Sequence, residues 1–264
     1  MQSRPICYAG GESAMTAMSK CGLEVAELNG QLPPGEVHVW LARLAFEEDA
    51  INQFGSLLDS EEHARAARFA VPSARRQFVA SRASLRIVLG KYLGINAAQV
   101  KFRSTSHGKP ELAGDSAVHF NLSHTEGLAA IAVTRIGAVG IDVERVRDQA
   151  DILELADRFF SKKEAEWIRS RTAPEHSASF FACWTAKEAY VKARGGGLSI
   201  PLDGFAIIPD PGEPELQLEV FADAAEAKRW SLYRLELPEE FKGAVAVEGA
   251  VSRVRARWLP AAKL

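Results

Sequence analysis

Apolar and polar positions alternate through Val37-His38-Val39-Trp40-Leu41, a run rich in β-formers that predicts a strand. Asp59-Ser60-Glu61-Glu62 reads as a helix start. Asp59 or Ser60 can cap it, and Glu62 falls in the first turn to complete a capping box. A longer helix is expected over residues 73–92, where Phe78, Leu85, Val88 and Leu89 share the core side and Gly94 ends the run. Short strands are expected near residues 100–103 and 117–122. A turn at Thr125-Glu126-Gly127 then leads into the apolar strand 128–134.

The second half of the chain shows the same order. Val139-Gly140-Ile141-Asp142-Val143-Glu144 is a strand, and Ser161-Lys162-Lys163-Glu164 opens another capped helix. A long helix through Phe180 and Lys192 is closed by Gly195-Gly196-Gly197, and strands near 204–208, 231–236 and 244–247 follow. Landmarks recur at a near-constant offset: Val37 with Val139, Ser60 with Ser161, Phe78 with Phe180. LAAIAV at Leu128 has a counterpart in GAVAV at Gly243, with an offset that loops can absorb. The expected architecture is α+β, a pseudo-dimer of two similar halves at residues 35–136 and 137–264. An irregular arm of residues 1–34 precedes them. The cleft between such halves is a common place for a ligand site.

Two elements carry charge where burial is expected. The helix around Phe180, Phe181, Trp184 and Tyr190 is bulky on nearly every side, so it should be buried on most faces. Yet Lys187, Glu188 and Lys192 share one arc of it. Charge on a buried helix is costly unless it is paired or neutralised by a metal or ligand. Asp142 and Glu144 lie two apart, so on a strand they face the same side, while Ile141 and Val143 face the core. Neighbouring carboxylates raise each other's pKa unless a cation lies between them. Taken alone, the two acids could be a solvated strand edge. Glu188 and Lys192 could likewise be an i, i+4 surface pair. Read together, Asp142, Glu144 and Glu188 suggest a divalent-metal site, with lysines beside it for an anionic substrate. Hard oxygen ligands suit Mg²⁺, which keeps several waters and also takes phosphate oxygens.

Composition narrows the function. The net charge of −2 argues against a nucleic-acid binder, whose domain is usually basic. Cys7, Cys21 and Cys183 form neither a zinc pattern nor a disulfide framework, which fits a reducing cytoplasm. No apolar run approaches the length of a membrane span, and the first thirty residues hold no continuous apolar stretch of the signal-peptide kind. A cytoplasmic protein off the membrane is expected. The internal duplication favours a monomer.

Other polar groups are weaker signals. Ser123 and His124 end a buried strand, where they could be turn chemistry or phosphate donors. Gly108-Lys109-Pro110 is a turn with a lysine at its tip and is not a Walker loop. Arg68, Arg75, Arg76, Arg82 and Arg86 lie along the first half's helices. Arg82 and Arg86, one turn apart, could clamp a phosphate bidentately.

In order and spacing, GKPEL, FNLSHTEG, VGIDVERV, RFFSKKEAEWI and FFACWTAKEAYVKARGGGLSIPLDGF resemble the 4′-phosphopantetheinyl transferases of the Sfp type. GIDVE and WTAKEAYVK match that family's signatures, G-[IV]-D and W-x-x-K-E-x-x-x-K. The resemblance covers roughly residues 60–210. It implies a two-half fold with the active site between the halves. It also implies coenzyme A as donor and a serine of an apo acyl, peptidyl or aryl carrier protein as acceptor. The products would be the holo carrier and 3′,5′-ADP, with Mg²⁺ required.

Carried over residue by residue, the resemblance makes Asp142, Glu144 and Glu188 the Mg²⁺ ligands, with Asp142 also facing coenzyme A. Lys187 and Lys192 match the signature lysines, the latter near the pyrophosphate. Ser123 and His124 match the pair at the coenzyme A phosphates, Lys109 and Pro110 the turn beside the nucleotide, and Arg86 a residue at the 3′-phosphate. Ala70-Val71-Pro72 stands where the family often has a basic residue, and Arg75 or Arg76 would have to substitute. A serine hydroxyl needs a base. Glu188 or a water held by the metal is the available group, and Glu188 and Lys192 are the expected catalytic residues. Arg145, Arg147 and Arg158-Phe159-Phe160 are expected to meet an acidic carrier. The alternative is a non-catalytic coenzyme A or carrier-binding module on the same fold, which the intact acids and lysines disfavour.

Overall fold

The computed structural model describes residues 30–259, apart from 45, 47, 106–107 and 210–211. Most of the expected arm, with Cys7 and Cys21, lies outside the described residues.

Two sheets organise the protein. In the first, β1 (Glu36–Arg43) and β5 (Leu128–Thr134) are buried almost end to end. β4 (His119–Thr125) flanks β5, and β11 (Arg253–Trp258) flanks β1, in the order β11-β1-β5-β4. The second sheet runs β6 (Val139–Arg145), β10 (Phe241–Glu248), β9 (Trp230–Arg234), β8 (Glu215–Val220), β7 (Phe205–Ile208). The duplication is visible in the pairing. β1 is antiparallel to β5, which is antiparallel to β4; β6 is antiparallel to β10, which is antiparallel to β9.

The helices repeat as well. A short capped helix, α2 (Ser60–Ala66), precedes the long α3 (Pro72–Leu93). In the second half α5 (Lys162–Arg169) precedes the long α6 (His176–Arg194). Both short helices carry the expected capping box, closed by Asp59 with Glu62 and by Ser161 with Glu164. Gly94 and Gly195 end the long ones in the left-handed conformation, φ 66° and 73°, which costs glycine little because it has no Cβ. Two short helices, α1 (Glu48–Gly55) and α4 (Ile152–Phe159), fill stretches for which the pattern predicted no element.

Apolar alternation fixes the layering. Val37, Val39 and Leu41 of the first sheet and Ile141, Val143 and Val245 of the second share one core cluster between the sheets. The opposite faces take the long helices. Trp40, Ile131 and Val133 pack with Leu85, Val88 and Leu89 of α3, while Ala244 and Ala246 pack with Ala186 and Ala189 of α6. Each half thus covers one sheet face with a helix and lends the other to a shared core. Among the described residues no helix is long and apolar enough to cross a membrane.

β11 crosses the expected division at residue 136. It returns from the C-terminal half and pairs in parallel with β1, Val39 opposite Ala256. Arg255 holds it there by donating to Glu36 at 2.7 and 3.1 Å. Those bonds drive the Glu36 carboxyl down to about 2. GKPEL also differs from expectation: beyond the turn, β3 (Pro110–Leu112) pairs with β2 (Phe102–Ser104) as a small hairpin.

Candidate active site

The site lies where edge strand β4 of the first sheet meets edge strand β6 of the second. An open strand edge leaves backbone amides unpaired. Here side chains satisfy them. Asn121, Ser123 and Thr125 alternate along one face of β4. They accept from the amides of Ile141 at 2.9 Å, Val143 at 3.4 Å and Arg145 at 3.2 Å. The Thr125 hydroxyl also donates to Glu144 Oε2 at 3.1 Å. Asn121 and Thr125 were not among the expected site residues. Their signal was the N-x-S-x-T alternation of the strand that leads into apolar β5.

Helix α6 presses directly on β6. A Cβ built on Gly140 would overlap the carbonyl oxygen of Ala189 and the amide nitrogen of Ala193. No side chain fits between strand and helix at that point, so the backbones touch. This close approach sets Glu188 and Lys192 of α6 beside Asp142 and Glu144 of β6.

Asp142 is the centre of the arrangement, only 4% exposed. Its Oδ1 accepts from the Ser123 hydroxyl at 2.7 Å and from Lys192 Nζ at 2.6 Å. Lys192 Nζ also donates to Ser123 Oγ at 3.1 Å. Lys192 therefore pairs across the elements with Asp142, and the i, i+4 ion pair with Glu188 is not formed among the described residues. Asp142 Oδ2 is buried without a hydrogen-bond partner. Burial, followed by the charge of Asp142, pushes the Glu144 and Glu188 carboxyls above the usual range. The three acids are electrostatically coupled, and one buried carboxylate oxygen lacks a donor. Both facts fit a divalent cation. No three acidic, histidine or cysteine side chains among the described residues already stand together as a metal cage. Asp142, Glu144 and Glu188 therefore do not form a ready three-ligand cage.

Two expected ligand-binding cations are elsewhere. Arg86 is fully buried. It donates to Glu62 Oε2 at 2.6 Å, Asp59 Oδ2 at 2.5 Å and the Val100 carbonyl at 2.8 Å. It also lies over the Phe102 ring. Lys187 is fully buried too and donates to both Glu164 oxygens and to the Phe205 carbonyl, each at 2.7 Å. Its ammonium lies over the Phe205 ring. These are one device used twice: the capping-box glutamate of the short helix receives a cation from the following long helix, above a phenylalanine. Neither side chain has any exposed surface.

The remaining expected residues are dispersed. Lys109 reaches from the β2–β3 hairpin to main-chain carbonyls of the second half, and Pro110 opens β3 opposite Ser104. Arg76 is half-buried on α3, 3.9 Å from Glu48. His124 keeps an exposed position on β4, and desolvation of its ring, then the cations Lys192 and Arg65, pull its pKa down. The Arg65 guanidinium itself lies over the Phe78 ring.

Two family models match this chain: the 4′-phosphopantetheinyl transferase superfamily over residues 138–246, and the N-terminal part of 4′-phosphopantetheinyl transferase over residues 46–135. The 4′-phosphopantetheinyl transferase HetI of Nostoc is 41% identical over 81% of this chain and 88% of its own length. The chain belongs to the 4′-phosphopantetheinyl transferase superfamily. Two further members of that superfamily are similar to it. Sfp of Bacillus subtilis is 28% identical over 63% of this chain and 73% of its own length. Psf-1 of Bacillus pumilus is 31% identical over 64% and 71%. The junction of β4, β6 and α6 spans both matched regions of the transferase, and its Asp142, Glu188 and Lys192 stand in the two signature motifs.

Proposed function

We propose that this enzyme transfers the 4′-phosphopantetheine group of coenzyme A to a serine of an apo carrier protein, in the cytoplasm and as a monomer. The observation that carries the reading is Asp142 at the seam of the two halves, bonded to Lys192 and Ser123, with Glu144 and Glu188 beside it. Family membership supports the reaction class.

Asp142, Glu144 and Glu188 would hold Mg²⁺, which when bound neutralises negative charge on the pyrophosphate. Lys192 carries the cation nearest the same position. Its Nζ keeps a third donor direction beyond Ser123 and Asp142, which can meet the pyrophosphate as charge grows on the leaving oxygen. The serine Oγ attacks the β-phosphorus, the bond to 3′,5′-ADP breaks, and the serine proton needs an acceptor. Glu188 suits that role: its carboxylate is half-buried, its proton affinity is raised, and it has no ion-pair partner within 4.0 Å among the described residues. Ser123 accepts from Lys192 and the His124 ring feels the Lys192 charge, and both are assigned to the donor's phosphates. Arg65, whose charge is felt at His124, is assigned the 3′-phosphate role in place of the fully buried Arg86.

The acceptor is assigned to the stretch that leaves β6. Arg145, Arg147 and Arg158 are exposed there, and Phe159 is 39% exposed under the Arg158 guanidinium. Cations interleaved with an open aromatic suit an acidic carrier surface. The test is direct. Protein with Mg²⁺ and coenzyme A should make an apo carrier protein heavier by one phosphopantetheine. A carrier of unchanged mass, with several carriers tried, would overturn the reading.

A further inference from the structure

Lys109 occupies the tip of the β2–β3 hairpin. The turn is closed on itself: the Thr105 amide donates to the Lys109 carbonyl at 2.9 Å, and the Lys109 amide donates to Thr105 Oγ1 at 3.1 Å. Gly108 lends the turn its positive φ of 78°. The backbone thus belongs wholly to the first half. The side chain does not. Its Nζ donates to the carbonyl of Lys192 at 2.7 Å and to the carbonyl of Val139 at 2.9 Å. One acceptor is in the last turn of α6 and the other is the first residue of β6.

Those two acceptors converge for a reason already described. Gly140 follows Val139, and the carbonyl carbon of Lys192 would lie 2.9 Å from a Cβ on Gly140. Hairpin tip, strand start and helix end therefore meet at one point. A carbonyl in the last helical turn has no intrahelical donor, and a cation there also complements the helix dipole. Burial pulls the Lys109 amine down to about 8. Its two acceptors are uncharged main chain, so this is not a salt bridge that happens to bury. It is a desolvated amine with two of its three donor directions committed.

Lys192 is held at both ends by this arrangement. Its carbonyl is fixed by Lys109, and its own Nζ reaches Asp142 and Ser123. We propose that Lys109 is a positioning residue for the transfer reaction: it clasps the first half's hairpin to the strand–helix pair of the second half and so holds Lys192 against Asp142, rather than contacting the nucleotide of the donor. The proposal rests on the transferase reading above.

Lys109→Met removes both bonds at nearly constant volume, and Lys109→Arg retains a donor that can reach the carbonyls. In ligand-free Lys109→Met, amide exchange should accelerate about tenfold or more at residues 139–143 and 192–196, because a local tie has been lost. Its kcat should fall about tenfold, in line with a small misplacement of reacting groups, while KM for coenzyme A moves less than about threefold. Preference for coenzyme A over its 3′-dephospho form should be unchanged. Lys109→Arg should recover most of the lost kcat. If the methionine variant does not fold, Lys109→Gln, too short to reach both carbonyls, gives the same comparison. A raised KM with normal kcat and normal exchange would make Lys109 a nucleotide contact and overturn the proposal. Faster exchange with unchanged kcat would reduce it to a structural tie and overturn it equally. Wild-type protein that leaves the carrier unmodified would instead sink the transferase reading, and exchange in the variant would still show whether the clasp exists.

Discussion

Gly140 of β6 lies against the carbonyl of Ala189 in α6, with no room for a Cβ between them. The glycine of the G-I-D motif is therefore there for a neighbour's backbone, and the neighbour is the helix that carries Glu188 and Lys192. Gly140→Ala should push α6 away from β6. Overpacking of this kind costs about 1–3 kcal/mol. The chemical effect should be larger than the stability effect suggests, since a shift of about 1 Å in reacting groups can cost on the order of a hundredfold in rate. Transfer assays run well below the melting temperature check this. Activity within a factor of about two of wild type would mean that the contact does not set the site geometry.

Arg86 should behave as a structural residue. Arg86→Met strips a fully buried cation from Asp59 and Glu62, leaving Glu62 with Arg82 alone, and breaking such a buried pair costs up to about 3–5 kcal/mol. Thermal or urea unfolding should show that loss. The ratio of KM values for coenzyme A and its 3′-dephospho form should stay as in wild type. Arg65→Ala should do the reverse, leaving stability nearly unchanged and bringing the two KM values together. A changed ratio in Arg86→Met would restore Arg86 to the donor site.

The burial of Arg86 and Lys187 in ion pairs shows what pattern reading resolves. Both capping boxes were legible, since Asp59 with Glu62 and Ser161 with Glu164 are local in sequence. That each glutamate also receives a cation from the next helix is a tertiary fact. Periodicity placed Lys187 and Glu188 on one arc, but adjacent helical residues point about 100° apart, and that angle separates a core ion pair from the cleft. Period-two alternation was decisive on β6, where Ile141 and Val143 go to the core and Asp142 and Glu144 to the site. The polar comb of Asn121, Ser123 and Thr125 was written in the same period, yet its partner is a strand edge from the other half. β11 failed for a like reason. RVRARW alternates as a strand should, but nothing local specifies parallel pairing with β1 more than two hundred residues earlier.

Mg²⁺ should stabilise the protein in a pH-dependent way. Glu144 and Glu188 have raised carboxyl pKa values, so the folded state binds their protons more tightly than the unfolded chain does. Without metal, their ionised forms destabilise the fold above those raised values. The cost is relieved as pH falls through them towards the ordinary carboxylate value. A cation relieves the same repulsion at neutral pH but must compete with protons in acid. The rise in melting temperature on adding Mg²⁺ should therefore be larger at neutral pH than near about pH 5. The acid limb of transfer activity should also move to lower pH as Mg²⁺ is raised. A Mg²⁺ effect equal at both pH values would place the ion away from these acids.

Glu188 and Lys192 face the same site but are expected to fail differently. Glu188→Gln keeps size and hydrogen bonding while removing charge and basicity. Because burial, then the charges of Asp142 and Glu144, penalise its carboxylate, the variant should melt no lower than wild type. Its kcat should fall by at least about a hundredfold, as for loss of a general base, with a smaller change in coenzyme A affinity, since Asp142 and Glu144 remain. Lys192→Ala should weaken coenzyme A binding and slow turnover together. It should also destabilise the protein, because buried Asp142 loses its only ion-pair partner among the described residues. Double-mutant cycles separate the pairs: Lys192 should couple strongly to Asp142 in stability and weakly to Glu188. An i, i+4 pair alone would instead give a coupling of a few tenths of a kcal/mol between Glu188 and Lys192, with activity nearly untouched. Steady-state kinetics with melts on both variants decide between these. A near-normal kcat in Glu188→Gln would remove proton transfer from this helix and leave α6 a role in binding alone.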